Sequence, residues 1–369
     1  MAAEQFKLDW KWLTLLAAAL FALVVLVQTA VVLITPAGER RSVIVRIYPG
    51  ATLGRVAEVL ESNGVITSAR KFVWLARLTG KGSRLKAGEY DLSPSLRPGE
   101  VLDALAEGRV RVSQVTIPEG YTMAQVAAAL QAAHLANARK FLAVCSDPAL
   151  ARELGVEGDN LEGYLYPDTY NIAFYMTEEA VARTMVRRFL QVWARYNEQA
   201  AARGMSMRET VTLASIIEKE TAAPQERRLI SAVFHNRLQK GMRLQSDPTV
   251  IYGLAASFDG DLKRADLRDN NPYNTYCHGG LPPGPIGSPG ETSVSAAVSP
   301  ARCGYLYFVS RNDGTHQFSA TLTQHNAAVR LYQLHAARNA ASGAGSAEAA
   351  TPPQAQPPAE EQAEPVEVH

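Results

Sequence analysis

Shifted against itself by seventy residues, the sequence repeats: VRIYPGATLGRVAEVL at 45 to 60 aligns with VTIPEGYTMAQVAAAL at 115 to 130. The alignment pairs Ile47 with Ile117, Gly50 with Gly120, Thr52 with Thr122, Val56 with Val126, Ala57 with Ala127 and Leu60 with Leu130. After a one-residue slip, ARKF at 69 to 72 meets ARKF at 138 to 141. Each copy must therefore build the same small unit. Alternating Val43, Val45 and Ile47 read as a strand, and the Pro/Gly pair reads as a turn. Thr52 then caps a helix whose Leu53, Val56, Ala57 and Leu60 share one face, with Gly64 as its stop. Strand, turn and helix are the expected unit.

Upstream, LTLLAAALFALVVLVQTAVVLI from Leu13 to Ile34 carries no charge. About 20 apolar residues suffice to cross the ~30 Å hydrocarbon layer, so a transmembrane helix is expected over 13–34. The run exceeds the ~7–15 residues of a signal-peptide core, and no small-x-small cleavage site follows it. Lys7 and Lys11 precede it while Arg40, Arg41 and Arg46 follow, which leaves orientation undecided by charge. Residues 1–12 are too few to fold, however, and large domains translocate largely regardless of loop charge. The expected arrangement is a cytoplasmic head and a single pass through the cytoplasmic (inner) membrane, with the bulk of the chain on the periplasmic side.

The remainder has ordinary globular composition, 47% hydrophobic and 20% charged over 369 residues. A net charge of +1 gives no support to a nucleic-acid partner. The expected fold class is α+β: a first α+β subdomain over 42–112, then a mixed α+β segment over 113–338. Helices are expected from Glu178 to Asn197, Met207 to Glu220 and Pro224 to Gln239, followed by a turn-dense stretch at 270–290. A strand at 304–310 and a closing helix from Leu322 complete it. Beyond 338 the composition turns to Ala, Pro, Glu and Gln, which predicts a disordered tail over 339–369.

Inside the second helix lies LASIIEKET, with Glu218 and Glu220 two positions apart in an apolar run. At about 100° per residue both faces are apolar, so periodicity does not choose between them. At least one carboxylate should meet a low-dielectric environment, which raises a carboxyl pKa and suits a general acid. A pair of structural, partly buried glutamates is the competing reading. Short polar and aromatic clusters follow or precede: LEGYLYPDTY (161–170), RLQSDPTVIYG (243–253), NPYNTY (271–276), GLPPGPI and HQFS (316–319). They look like surface for an extended polar ligand. HExxH, GxSxG, Walker and Cys/His ligand patterns are all missing, so no metal and no cofactor is expected.

Those clusters, with ASIIEKET and GYLYFVS, resemble the YceG-like (MltG) family of membrane-anchored endolytic murein transglycosylases, from the apolar run to about residue 338. The first subdomain, with KAGEYDLSPS at 86–95, resembles a LysM-like module. The resemblance implies peptidoglycan glycan strands as substrate, membrane peptidoglycan synthases as partners, and cleavage of the MurNAc-GlcNAc bond to leave 1,6-anhydroMurNAc ends, terminating strand elongation. It implies Glu218 as the catalytic acid and Glu220 as a supporting residue. Gln245, Ser246 and Asp247 are candidates to orient Glu218 or the sugar, and Asn274 and Tyr276 to bind acetamido or hydroxyl groups. Tyr164, Tyr166 and Tyr170 are candidates to stack on pyranose rings, although a core position suits each equally. Glu162 and Asp168 are reserve carboxylates, and His316 is a candidate groove residue. Cys277 and Cys303 flank the Pro/Gly loop and are either a disulfide or free thiols. A non-catalytic, membrane-anchored peptidoglycan-binding scaffold is the alternative function.

Overall fold

The computed structural model describes residues 10–334 apart from 112 and 222, so the head before Trp10 and the tail over 339–369 lie outside the described residues. The fold is α+β, in two compact units, one ending at Gly304 and the other beginning at Tyr305. Helix α1 runs Trp10–Ile34, 25 residues. Its side chains Leu13, Leu16, Leu20, Phe21 and Leu23 are exposed. Among the described residues no helix is long and apolar enough to cross a membrane.

The repeat folds as one motif used twice. In the first copy β1 (Val43–Ile47), α2 (Leu53–Ser62), α3 (Ala69–Leu78) and β2 (Gly88–Leu92) close with β1 antiparallel to β2, and α4 (Pro98–Glu107) packs beside them. In the second copy β3 (Ser113–Thr116), α5 (Met123–Ala132) and α6 (Ala138–Cys145) lead through an added helix α7 (Pro148–Glu153) to β4 (Thr169–Ile172), antiparallel to β3. Thr52 and Thr122 each accept the backbone N–H three residues on, capping α2 and α5. The likeness extends to the return strands, where Val45 pairs with Tyr90 and Val115 with Tyr170. Both tyrosines donate to the carbonyl four residues back, Tyr90 to Lys86 at 2.7 Å and Tyr170 to Tyr166 at 2.5 Å. LEGYLYPDTY is therefore the turn that leads into the closing strand of the second copy, its last two residues, Thr169 and Tyr170, starting β4.

Next come α8 (Glu178–Trp193) and α9 (Asn197–Ala202), where one helix to Asn197 was expected. The chain turns at Ala194–Tyr196, and Tyr196 leaves the helix to donate to Glu291 at 2.8 Å. Helix α10 (Met207–Glu220) has the expected bounds, set by a Ser206/Glu209 capping box. It is buried without a break from Thr210 to Ile217. Around it pack α11 (Arg227–Gln239), α12 (Asp247–Leu254) and α13 (Glu291–Val298). A 3-10 turn at Pro224–Glu226 takes the first residues expected for α11.

The second unit is a hairpin, β5 (Tyr307–Ser310) with β6 (His316–Ser319), and α14 (Leu322–Val329) continued by a π turn. HQFS is thus the second strand of that hairpin, and His316 packs against Phe308 and Phe318.

Candidate active site

The segment from Gly280 to Gly290 lies along the whole of α10. Arg208 donates to the Pro283 carbonyl at 2.9 and 2.6 Å, Ser215 accepts the Ile286 N–H at 3.0 Å, and Glu218 accepts the Gly290 N–H at 2.8 Å. Pro285 through Gly290 are buried, so this stretch is packed structure rather than the open ligand surface its turn residues suggest. Proline has no N–H to satisfy and glycine has no Cβ, which is what lets irregular backbone be buried here. The segment also joins the second repeat: Gly120 donates to Ser288 and Ser288 donates to Tyr121, each at 2.8 Å.

Where these segments meet, Glu218 lies in the last turn of α10 with only 5% of its side chain exposed. Its Oε1 accepts from Arg227 at 2.8 Å and its Oε2 from the Gly290 amide. Gly290 is the N-cap of α13, so the carboxylate also faces the positive end of that helix. Arg227 opens α11 and reaches back over the Pro224–Glu226 turn, its side chain 9% exposed. Glu119, in the turn after β3, stands 3.7 Å from the same guanidinium.

Glu220, one turn-step further, faces a different helix end. Ser246 is the N-cap of α12 but makes no capping bond, because its hydroxyl donates to Glu220 instead. Burial raises the Glu220 carboxyl from 4.5 to about 7, against the Ser246 bond that lowers it. Glu218 is thus ion-paired to α11 and hydrogen-bonded at the start of α13, whereas Glu220 is held by a hydroxyl at the start of α12.

The profile of the YceG-like family matches residues 45–331. The chain belongs to that family. An endolytic murein transglycosylase of Bacillus subtilis (strain 168) is 31% identical over 310 residues, covering 80% of this chain and 86% of that protein. One of Streptococcus pneumoniae is 30% identical over 305 residues, covering 74% of this chain. Only 55% of the pneumococcal protein is matched, so the chain spans about half its length. The crystal structure of a YceG-like protein from Listeria monocytogenes, 33% identical, superposes with a TM-score of 0.55 over 78% of this chain and 98% of that one.

Within this YceG-like site the remaining candidates divide. Gln245 is exposed and holds a left-handed φ of 52°, a strained conformation for a residue with a side chain. Asp247 accepts the Tyr276 hydroxyl at 2.5 Å, which places both beside Ser246 and Glu220. Asn274 is fully buried, and its amide donates to the Asp266 and Asp269 carbonyls and accepts the Tyr276 N–H. It staples the 266–276 loop, with no polar group left for a sugar. Tyr166 is buried beneath Arg188, and Tyr164 donates to the Glu157 carbonyl at 2.6 Å. With Tyr170 these rings belong to the core and cannot stack on substrate. Asp168 is bound to Arg188 at 2.7 Å, which holds it below the usual carboxylate range. Glu162 is buried and accepts the Met123 N–H at 2.9 Å and the Tyr252 hydroxyl at 3.1 Å. His316 lies in the second unit. Cys145, Cys277 and Cys303 are all free, and the Cys277 thiol is turned to the Leu267 carbonyl. A hollow of about 540 Å³ beside Arg208, Thr212, His235 and Leu238 lies along the N-terminal half of α10, lined by neither Glu218 nor Glu220.

Sequence reading missed Glu119 and Arg227. Glu119 left one signal, since it stands where the first copy of the repeat has Pro49.

The buried glutamates make stability depend on pH. Burial raises Glu162 as well, from 4.5 to about 7, opposed by the Met123 amide and the Tyr252 hydroxyl. An acid whose folded value is raised contributes stability that is full below about 4.5 and is lost as pH rises through about 7. Melting temperature should therefore fall between about pH 4.5 and 7, and fall less in Glu220→Gln and Glu162→Gln. Parallel slopes in all three proteins would contradict the assignment.

Proposed function

We infer that this chain is an endolytic peptidoglycan lytic transglycosylase whose single acid and base is Glu218. Family membership and relatives that bear that activity in their names support the reaction class. The observation that carries the residue is the enclosure of Glu218 between Arg227 and the Gly290 amide at the end of a buried helix. Both carboxylate oxygens accept a bond there, the geometry of the proton-accepting half of the cycle.

The chemistry needs one carboxyl group. Glu218 gives its proton to the bridging oxygen as the bond from that oxygen to the anomeric carbon of MurNAc breaks. The C6 hydroxyl of the same sugar then attacks the anomeric carbon, and its proton returns to Glu218. The products are a free hydroxyl on GlcNAc and a 1,6-anhydroMurNAc end, and no water is consumed. An ordinary glycosidase would instead use two carboxylates flanking the bond. Cutting inside nascent strands ends their elongation.

The rest of the reading is architectural. The uncharged run over 13–34 is read as an anchor in the cytoplasmic membrane, a reading carried by the sequence alone, with the following domains on the periplasmic side near the synthases that extrude glycan. The β1–α4 module is LysM-like and grips the same polymer. Digestion of intact glycan strands in ¹⁸O-labelled water, followed by mass spectrometry, tests the reaction. Fragments should end in 1,6-anhydroMurNAc without label. Reducing ends carrying ¹⁸O would make the enzyme a hydrolase, and retention without any cut would make the chain a scaffold.

A further inference from the structure

The two repeat copies differ at one place that matters to the site. In the first, the turn after the strand reads Tyr48, Pro49, Gly50; in the second it reads Pro118, Glu119, Gly120. The second turn is fixed on Ser288 by the hydrogen bonds of Gly120 and Tyr121, so Glu119 is delivered to the end of α10. Gly120, at a left-handed φ of 78°, lies against Glu218: a Cβ there would sit 3.6 Å from Glu218 Cγ, an ordinary contact. Gly290, by contrast, makes room for Glu119: a Cβ there would fall 1.8 Å from Glu119 Oε1. The Glu119 carboxylate thus fills the space of a side chain on the residue whose amide binds Glu218.

We propose that Glu119 is a positioning residue for the reaction, acting on Glu218 through the Arg227 guanidinium that both carboxylates share. Arg227 lies 2.8 Å from Glu218 Oε1 and 3.7 Å from Glu119 Oε2. A cation held between two carboxylates binds each less tightly than one held by a single carboxylate. Glu218 needs that slack, because it must carry a proton at the start of the cycle and accept one at its end. The charged and polar groups around it are Lys219 on α10, Arg227 on α11, the Gly290 amide at α13 and Glu119 on the β3–α5 turn, with Glu162 beyond Lys219. Glu119 supplies the negative charge that offsets Arg227. Partial burial raises the Glu119 carboxyl and the charge of Glu218 raises it further, while Arg227 lowers it. Half of its side chain is exposed, so it can be changed without opening the core.

This role rests on Glu218 being the proton donor of the proposed reaction. The test measures kcat and KM across pH for the full chain on intact glycan strands, with thermal stability alongside, in wild type, Glu119→Gln and Glu119→Asp. In Glu119→Gln the undivided charge of Arg227 should lower kcat at neutral pH about tenfold and leave KM unchanged. The alkaline limb of the kcat profile should move to lower pH by about one unit, and Glu119→Asp should restore most of both. A structural role would lower stability or raise KM without moving that limb. An alkaline limb in the same place in Glu119→Gln as in wild type overturns the proposal, whatever happens to kcat. Product identity fails separately: a wild type that leaves ¹⁸O-labelled reducing ends removes the anhydro reaction, while the limb still decides Glu119.

Discussion

Glu218→Gln should lower turnover by about 10²–10⁴, the range set by losing a general acid–base group. Glutamine keeps the size of the side chain and can still accept from Arg227 or from Gly290 through its carbonyl oxygen. Its amide cannot accept from the other donor, nor can it give and recover a proton. Binding should persist, because the substitution keeps the size of the side chain and leaves the β1–α4 module and the packing of α10 up to Ile217 unchanged. Glu220→Gln should cost much less, since the Ser246 hydroxyl can donate to the amide oxygen in place of the carboxylate. Release of anhydro ends under saturating glycan, with co-sedimentation to measure retention, separates the two effects. Full turnover in Glu218→Gln would sink the assignment, and a larger loss in Glu220→Gln would transfer it to the buried acid at α12.

What could be read from the chain beforehand was what short-range chemistry determines. Thr52 announces the start of α2 by capping and the repeat carries the same reading to Thr122 and α5, so those elements fall where expected. The repeat was legible because identity at matched positions needs no knowledge of packing. Burial of polar and aromatic clusters was not. Tyr164 and Asn274 sit among turn residues of the kind that line binding surfaces, and only the fold shows that their polar atoms are used up on backbone. The partners of Glu218 were hidden for a related reason. Glu119, Arg227 and Gly290 come from three separate segments, and tertiary packing rather than periodicity brings them to one carboxylate. Even so, the replacement of Pro49 by Glu119 between otherwise matching turns was visible in the letters alone.

Because that convergence depends on the buried Pro/Gly segment, a single methyl group there should disturb both stability and catalysis. Gly287→Ala is the sharpest case. Gly287 has φ 152°, outside the comfortable range of an L side chain. An added Cβ would lie 2.6 Å from the Gly120 carbonyl oxygen and 3.2 Å from its carbon. Those neighbours are backbone, so no rotamer change relieves the contact. The way out is to separate the segment from the β3–α5 turn, which breaks the Gly120–Ser288 and Ser288–Tyr121 hydrogen bonds. Strain and overpacking together should lower stability by about 2–4 kcal/mol. The same shift draws the Gly290 amide from Glu218 and Glu119 from Arg227, so the folded fraction should also turn over more slowly than wild type. Gly279→Ala is the control: it lies in the same region, with open space where its Cβ would go and no left-handed φ. Denaturant melts paired with kcat measured well below the melting temperature resolve the two losses. If Gly287→Ala matches Gly279→Ala in both, the segment does not hold the site together as described.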